Sequence, residues 1–293
     1  MLVEGHEVTV LDNLSSGFQS NLFPYPDVNF IQGDVRDPED VDRALEGAEV
    51  VFHLAASVGN SRSIANPLLD SEINVLGMLQ ILQGALKHGV RKIVYSSSAG
   101  IFGELKTLPI KEDHPIEPDS PYGVSKLAAE KLCLVYSKLY PQLECVCLRY
   151  FNVYGINQRY DAYGNVIPIF AHRLVQNQPV IIFGDGEQTR DFVNVRDVAQ
   201  ANYKAAMTDG ISGAYNIASG TRITINRLYE LMSKFYGEDS RVEYQSPRQG
   251  DVLHSLADIS LAKTAFSYNP IVGLEEGLEE YLNWYKEAIN KEN

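Results

Sequence analysis

Apolar residues fall along this chain in two alternating rhythms. Short, β-branched, nearly unbroken hydrophobic runs occur at 7–12 (EVTVLD), 28–34 (VNFIQGD), 48–55 (AEVVFHLA), 91–98 (RKIVYSSS) and 144–151 (ECVCLRYF). Such runs predict strands buried on both faces, as in a parallel sheet. Between them the spacing turns helical, at 38–47, 67–88 and 121–139. In 67–88, Leu69, Ile73, Leu76, Leu79, Leu82 and Leu86 line one face, while Leu68, Val75, Met78 and Ile81 line another. A helix apolar on two sides needs two partners, so it is expected to pack on the sheet and on a second copy of the chain, giving a homodimer. Strict alternation of strand and helix implies an α/β fold: a doubly wound parallel sheet with right-handed crossovers.

The second half is less regular. Helical spacing at 166–176, 195–207, 224–237 and 274–290 is interrupted by strand-like runs at 179–184 (PVIIFG) and 214–219 (AYNIAS). This pattern predicts a smaller lobe interleaved with the first. The expected division is residues 1–151, with 185–219 returning to them, against 152–184 and 220–293. Ligands of doubly wound sheets bind beyond the carboxyl ends of the strands.

Composition narrows the function classes. At 293 residues the chain can form one large or two modest domains, and its net charge of -13 argues against nucleic acid or an anionic membrane as the main partner. A few placed arginines can still hold an anionic small ligand. The apolar runs fall well short of a membrane span, and no secretory signal precedes the first strand, so the cytoplasm is the expected compartment. Cys133, Cys145 and Cys147 make no disulfide framework, and the last two alternate along one strand and read as small core residues. The six histidines show no metal-ligand spacing, and His53 reads as a strand residue.

The sharpest chemical signal is SPYGVSK, 120–126. Tyr122 and Lys126 stand four apart at the start of a helix and share a face. Tyrosine is a poor base near neutrality, and a nearby ammonium is expected to favour its phenolate, making Tyr122 a proton acceptor from an alcohol. Upstream, YSSSAGIFG (95–103) ends a buried strand and places a hydroxyl, that of Ser98, at the rim where such an alcohol would lie.

These blocks, with LDNLSSG, GDVRD, HLAA, INVLG, LRYFNVYG, IFGDGEQTRDFVNVRDVA, YNIASG and RQGD in the same order, resemble the extended short-chain dehydrogenase/reductase family, and within it the nucleotide-sugar 4-epimerases. The resemblance implies NAD on the sheet and a UDP-sugar above it. It implies that Asp12 holds the adenosine ribose and disfavours a 2′-phosphate, with Asn13 and Ser16 beside it and Asp34 and Val35 flanking adenine. Leu54, Ala55 and Ala56 let the backbone approach the cofactor, and Asn74 and Ser96 are further contacts. Lys126 also reaches the nicotinamide ribose, while Tyr150, Phe151 and Asn152 orient nicotinamide and sugar. Arg190 and Arg248 grip the diphosphate, and Asn165, Val166, Phe183 and Asp251 supply the remaining substrate contacts.

The reaction follows from what succeeds Ser98. Dehydratases of the family carry Asp-Glu there and decarboxylases a Glu; this chain has Ala99 and Gly100, which do not titrate. Inversion at C4 of a UDP-hexose through a 4-keto sugar remains. A UDP-sugar dehydrogenase or reductase, and a non-catalytic nucleotide-sugar binder, stay as alternatives. Ser255 occupies the position where a bulky residue excludes N-acetyl groups, so both UDP-glucose and UDP-N-acetylglucosamine fit. The family's first strand and its G-x-x-G-x-x-G turn precede LVEGHEV. The sequence is therefore expected either to be a shortened reading of a longer chain or to be a short homologue that binds NAD differently. Either way, two inner sheet edges should lack a partner.

Overall fold

The computed structural model describes residues 1–158, 160, 164–236, 241–247 and 252–292, the side chains of 290–292 excepted. Contacts divide the chain into two units: 1–103, 118–148 and 202–214 form the first, and 104–117, 149–201 and 215–293 the second. Of the segment 185–219, then, 202–214 groups with the first unit.

In the first unit, β1 (Thr9–Asp12) and β2 (Asn29–Gln32) pair in parallel, Thr9 opposite Asn29 through Asp12 opposite Gln32. α1 (Pro38–Leu45) follows, with Pro38 in its first turn and the Asp37 carboxylate accepting from the Glu39 and Asp40 amides. β3 (Val50–His53) leads to α2 (Asn60–Ala65) and α3 (Pro67–Ser71). α4 (Gly77–His88) ends at Gly89, whose φ of 69° is the left-handed cap conformation. β4 (Lys92–Ser98), α5 (Pro121–Leu139) and β5 (Glu144–Tyr150) complete the alternation.

The single helix expected over 67–88 is divided: Glu72–Leu76 form a π turn between α3 and α4. Such turns widen a helix locally and concentrate at functional sites. Here the turn carries Asn74, whose amide bonds residues on three other segments.

β3, β4, β5 and the later strand Gly213–Ile217 make a four-stranded sheet, with that later strand beyond β5. The β1–β2 ladder is separate from it. β1, β2, β3 and the Gly213–Ile217 strand thus each keep an edge without a strand partner among the described residues. The residues of β1 and β3 are mostly half-buried, whereas β4 and β5 are almost wholly buried. The core beneath β4 and β5 joins Met78, Leu82, Ile93, Tyr95 and Ala129 to Cys133, Cys145 and Cys147. All three cysteines are buried, Cys145 and Cys147 in the core as their spacing predicted. Lys92, buried in β4, pairs with Glu144 at 2.7 Å.

The second unit begins with β6 (Asn152–Tyr154), α6 (Val166–Val175), β7 (Val180–Phe183), β8 (Thr189–Arg190) and β9 (Phe192–Asn194). α7 (Val195–Met207) runs on into the first unit, and β10 is the Gly213–Ile217 strand. β11 (Ile223–Thr224), α8 (Ile225–Ser233), β12 (Val242–Gln245), α9 (Ser260–Phe266) and α10 (Leu274–Glu292) follow. β6–β9 and β7–β12 are parallel pairs, and β8–β11 is antiparallel. Phe170, Leu228, Met232, Leu278 and Tyr281 centre the core. Buried Asp191 pins three segments by accepting from the Ser219 amide and hydroxyl, the Gly220 amide and the Ala257 amide. No helix among the described residues is long and apolar enough to cross a membrane.

Candidate active site

α5 starts where its sequence dictates. The Ser120 hydroxyl accepts from the Gly123 amide at 3.2 Å, and Pro121 occupies the first turn. Gly123 is required for close approach: a Cβ there would lie 2.5 Å from the Gly100 carbonyl oxygen. With no side chain in the way, the first turn of α5 rests on the turn that follows β4. That contact brings the Tyr122 ring beside Ser98, whose side chain favours ionisation of the phenol. Ser98 Oγ also accepts from the Gly100 amide at 3.1 Å. Gly100 leaves the pair uncrowded, since an added Cβ would approach Ser98 Oγ to 3.3 Å and Tyr122 Cε1 to 3.6 Å.

One turn on, Lys126 is only 2% exposed, and its Nζ stands 4.5 Å above the Tyr95 ring centroid. That placement is a cation–π contact. Burial brings the Lys126 ammonium down to about 8. Burial also raises the Tyr122 phenol above its ordinary value, with the Ser98 side chain opposing it and the Asp70 carboxylate adding to it. The expected lowering of Tyr122 by Lys126 is therefore corrected. The ammonium lies over Tyr95, and loss of solvent outweighs any attraction to the phenolate. His53 stacks on Tyr95 at 5.9 Å, and its imidazole is held down to about 3, first by burial and then by the charge of Lys126.

A polar network underlies the pair. Ser125 Oγ donates to Asp70 Oδ2 at 2.5 Å and stands 3.0 Å from the Tyr122 carbonyl oxygen. Asn74 Nδ2 reaches Ser125 Oγ, Asp70 Oδ1 and the Ser57 carbonyl, and Asn74 Oδ1 accepts from the Ser57 amide.

The expected cofactor residues of the first unit gather at the carboxyl ends of its strands. Asp12 ends β1, and its Oδ1 accepts from the Leu14 amide at 2.7 Å. Asn13 Nδ2 donates to Asp34 at 3.0 Å, and Ser16 is exposed. Two side-chain bonds from Arg36 hold the Asp34 carboxyl well below the usual carboxylate range. Val35 is in the core instead. Leu54 (58% exposed) and Ala55 follow β3 in the open, with Ala56 and Ser96 half-buried.

These residues fit a dinucleotide. Asp12 Oδ2 has no hydrogen-bond donor among the described residues, and Gly17 leaves the space beside it open, where a Cβ would come within 3.2 Å. An acceptor so placed suits a ribose diol.

In the second unit, the Phe151 amide donates to Ile217 O and Asn152 Nδ2 to Asp191 O, while Tyr150 ends β5 half-buried. Asn165 precedes α6, Val166 opens it, and Phe183 ends β7. Arg190 Nη1 donates to Thr189 O at 2.9 Å, and buried Ser255 is held beside it by its amide bond to Thr189 O at 3.1 Å. Arg190 also borders a cavity of about 240 Å³ with Phe192, Arg222 and Ile271. Arg248 and Asp251 lie outside the described residues.

The family described as the NAD dependent epimerase/dehydratase family matches residues 1–218. The chain belongs to this family. Among curated members, a putative UDP-glucose 4-epimerase of Methanocaldococcus jannaschii is 39% identical over 289 residues, 98% of this chain and 92% of that protein. Among solved structures of the family, the Thermotoga maritima UDP-glucose 4-epimerase with UDP-glucose superposes with a TM-score of 0.92 at 37% identity. The UDP-N-acetylglucosamine 4-epimerase of Methanobrevibacter ruminantium, in complex with UDP-N-acetylmuramic acid, gives 0.93 at 36%. In both, the match covers 98% of this chain and 93% of the other.

The motifs did not point to Asp70, Ser125 or Tyr95. A signal for Asp70 was present: it stands four residues before Asn74, so the two polar groups share one face of a helix read as apolar on two sides.

Proposed function

We propose that this chain is a UDP-hexose 4-epimerase working with tightly bound NAD. The observation that carries the reading is Ser98 set beside Tyr122 one turn from buried Lys126, with Ser98 followed by Ala99 and Gly100, which cannot act as acid or base. Asp12, Asn13, Asp34 and Leu54 to Ala56 would hold the dinucleotide, with Asn74, Ser96 and Lys126 toward its nicotinamide half. When bound, the dinucleotide supplies reversible hydride acceptance.

Tyr122 takes the proton of the sugar C4 hydroxyl and returns it after the 4-keto sugar has turned over. Ser98 bonds the same oxygen and keeps it within reach of the phenol. Lys126 holds a buried cation over the Tyr95 ring, one turn from the reacting groups and placed toward the nicotinamide ribose. Arg190, with Arg248, holds the diphosphate as the pivot of that rotation. Asn152, Asn165, Val166, Phe183 and Asp251 complete the substrate contacts, and Tyr150 and Phe151 orient the rings. Ser255 is small enough to admit a 2-acetamido group, so UDP-glucose and UDP-N-acetylglucosamine are both substrates in this reading. A homodimer is supported by exposed apolar side chains on adjoining helices: Leu68 on α3, and Val124, Val135 and Leu139 on α5. Three cysteines outside any disulfide suit a reducing compartment, the cytoplasm.

The test is incubation with UDP-galactose and no external oxidant. Formation of UDP-glucose without net NADH is expected. Stoichiometric NADH would assign a dehydrogenase instead, and UDP binding without turnover a binder.

A further inference from the structure

Asp70 is a carboxylate set almost entirely out of solvent, 1% exposed, on the short helix α3. A buried carboxylate is costly unless every neighbour serves it. Its two oxygens are taken by Ser125 Oγ at 2.5 Å and Asn74 Nδ2 at 3.2 Å. Ser125 lies between Tyr122 and Lys126 in the sequence, and its hydroxyl also meets the Tyr122 carbonyl oxygen. Asn74 is brought to this point by the π turn at Glu72–Leu76 and is itself anchored to Ser57 on both sides of its amide. The whole network belongs to the first unit.

From these contacts we infer that Asp70 is a positioning residue for the Tyr122–Lys126 pair: through Ser125 it fixes the start of α5, and its carboxylate acts electrostatically on both groups. The inference rests on the reading of Tyr122 as the proton acceptor.

The other groups facing the pair leave this role to Asp70. From β3, His53 is neutral near pH 7. From β4 come the Tyr95 ring and Ser98, and from β5 the Cys147 thiol. On α5 itself, Cys133 is buried and Glu130 accepts from Ser97 at 2.7 Å. Arg62 and Glu72, on the adjoining turns, are exposed. Asp70 opposes ionisation of Tyr122 and favours the charged form of Lys126, as a fixed anion should.

Two variants separate the charge from the lever. Asp70→Asn keeps the shape and removes the charge; Ser125→Ala keeps the charge and removes the link. The ionisation of Tyr122 is followed in the full chain by nuclear magnetic resonance of labelled tyrosine ring carbons, with the Tyr122 signal assigned by Tyr122→Phe. Asp70→Asn is expected to move that ionisation down by about one pH unit, in the direction required when a nearby anion is lost. Ser125→Ala is expected to leave it in place while kcat with UDP-galactose falls about tenfold and KM stays within about twofold. An unmoved Tyr122 signal in Asp70→Asn, or full kcat in Ser125→Ala, overturns the inference. If Asp70→Asn does not fold, Ser125→Ala decides alone. Undiminished turnover by Tyr122→Phe would instead overturn the functional reading beneath it.

Discussion

At the end of β4, Lys126 is buried among Tyr95, His53 and Asp70, with Ser98 and Tyr122 half-buried beside it. At the ends of β1, β2 and β3, by contrast, Asp12, Asn13, Asp34 and Leu54 are half-buried or exposed. Charge is controlled differently at the two ends. Burial is the largest influence on both Tyr122 and Lys126, raising one and lowering the other. Asp34 is governed by its bonds to Arg36. The enclosed end can therefore tune proton affinity, while the open end can only orient polar groups for a ligand that brings its own shape.

The contrast breaks most sharply at Tyr122. Tyr122→Phe should lower kcat by roughly a thousandfold or more while UDP affinity, by calorimetry, stays within about twofold. Gly123→Ala comes next, because a Cβ would sit 2.5 Å from the Gly100 oxygen, which is backbone and cannot step aside. It should cost about 1–3 kcal/mol in urea unfolding and, by displacing Tyr122, roughly a hundredfold in kcat.

Lys126 gives a pH test of the enclosed end. Its folded-state value is about 8, below the unfolded value near 10.5, so between those limits the unfolded chain binds more protons than the folded one. Stability contributed by this residue must then rise with pH from about 8 to about 10.5, and below that window its burial penalty is fully present. Urea titrations should show a rise of roughly 1–3 kcal/mol across the window relative to Lys126→Met, which lacks the slope. The smallest effect belongs to the open end. Asp12→Asn should weaken NAD binding by about tenfold, roughly 1.4 kcal/mol, and narrow the preference over NADP.

The same division decides what the sequence discloses. The strands, α7 and the Tyr122/Lys126 helix were legible because burial on both faces leaves unbroken apolar runs and a helix leaves its period. The ends of those strands were legible because short motifs mark them. β8 and β9 were not, since strands of two or three residues carry too little periodicity. The Asp70–Ser125 bond joins residues 55 apart, and no local pattern encodes such a partner. The orientation of Lys126 toward Tyr95 was hidden for the same reason. Proximity in the helix suggested an ammonium beside the phenol, but a ring on β4 claims it.

The account stands on a C4 hydride that leaves the sugar and comes back to the same carbon while Tyr122 minds the proton. UDP-galactose deuterated at C4 tests this directly. The deuterium should be found at C4 of the UDP-glucose produced, at full occupancy and with none in solvent or in free NADH. Product formed with the label lost from C4 would contradict it.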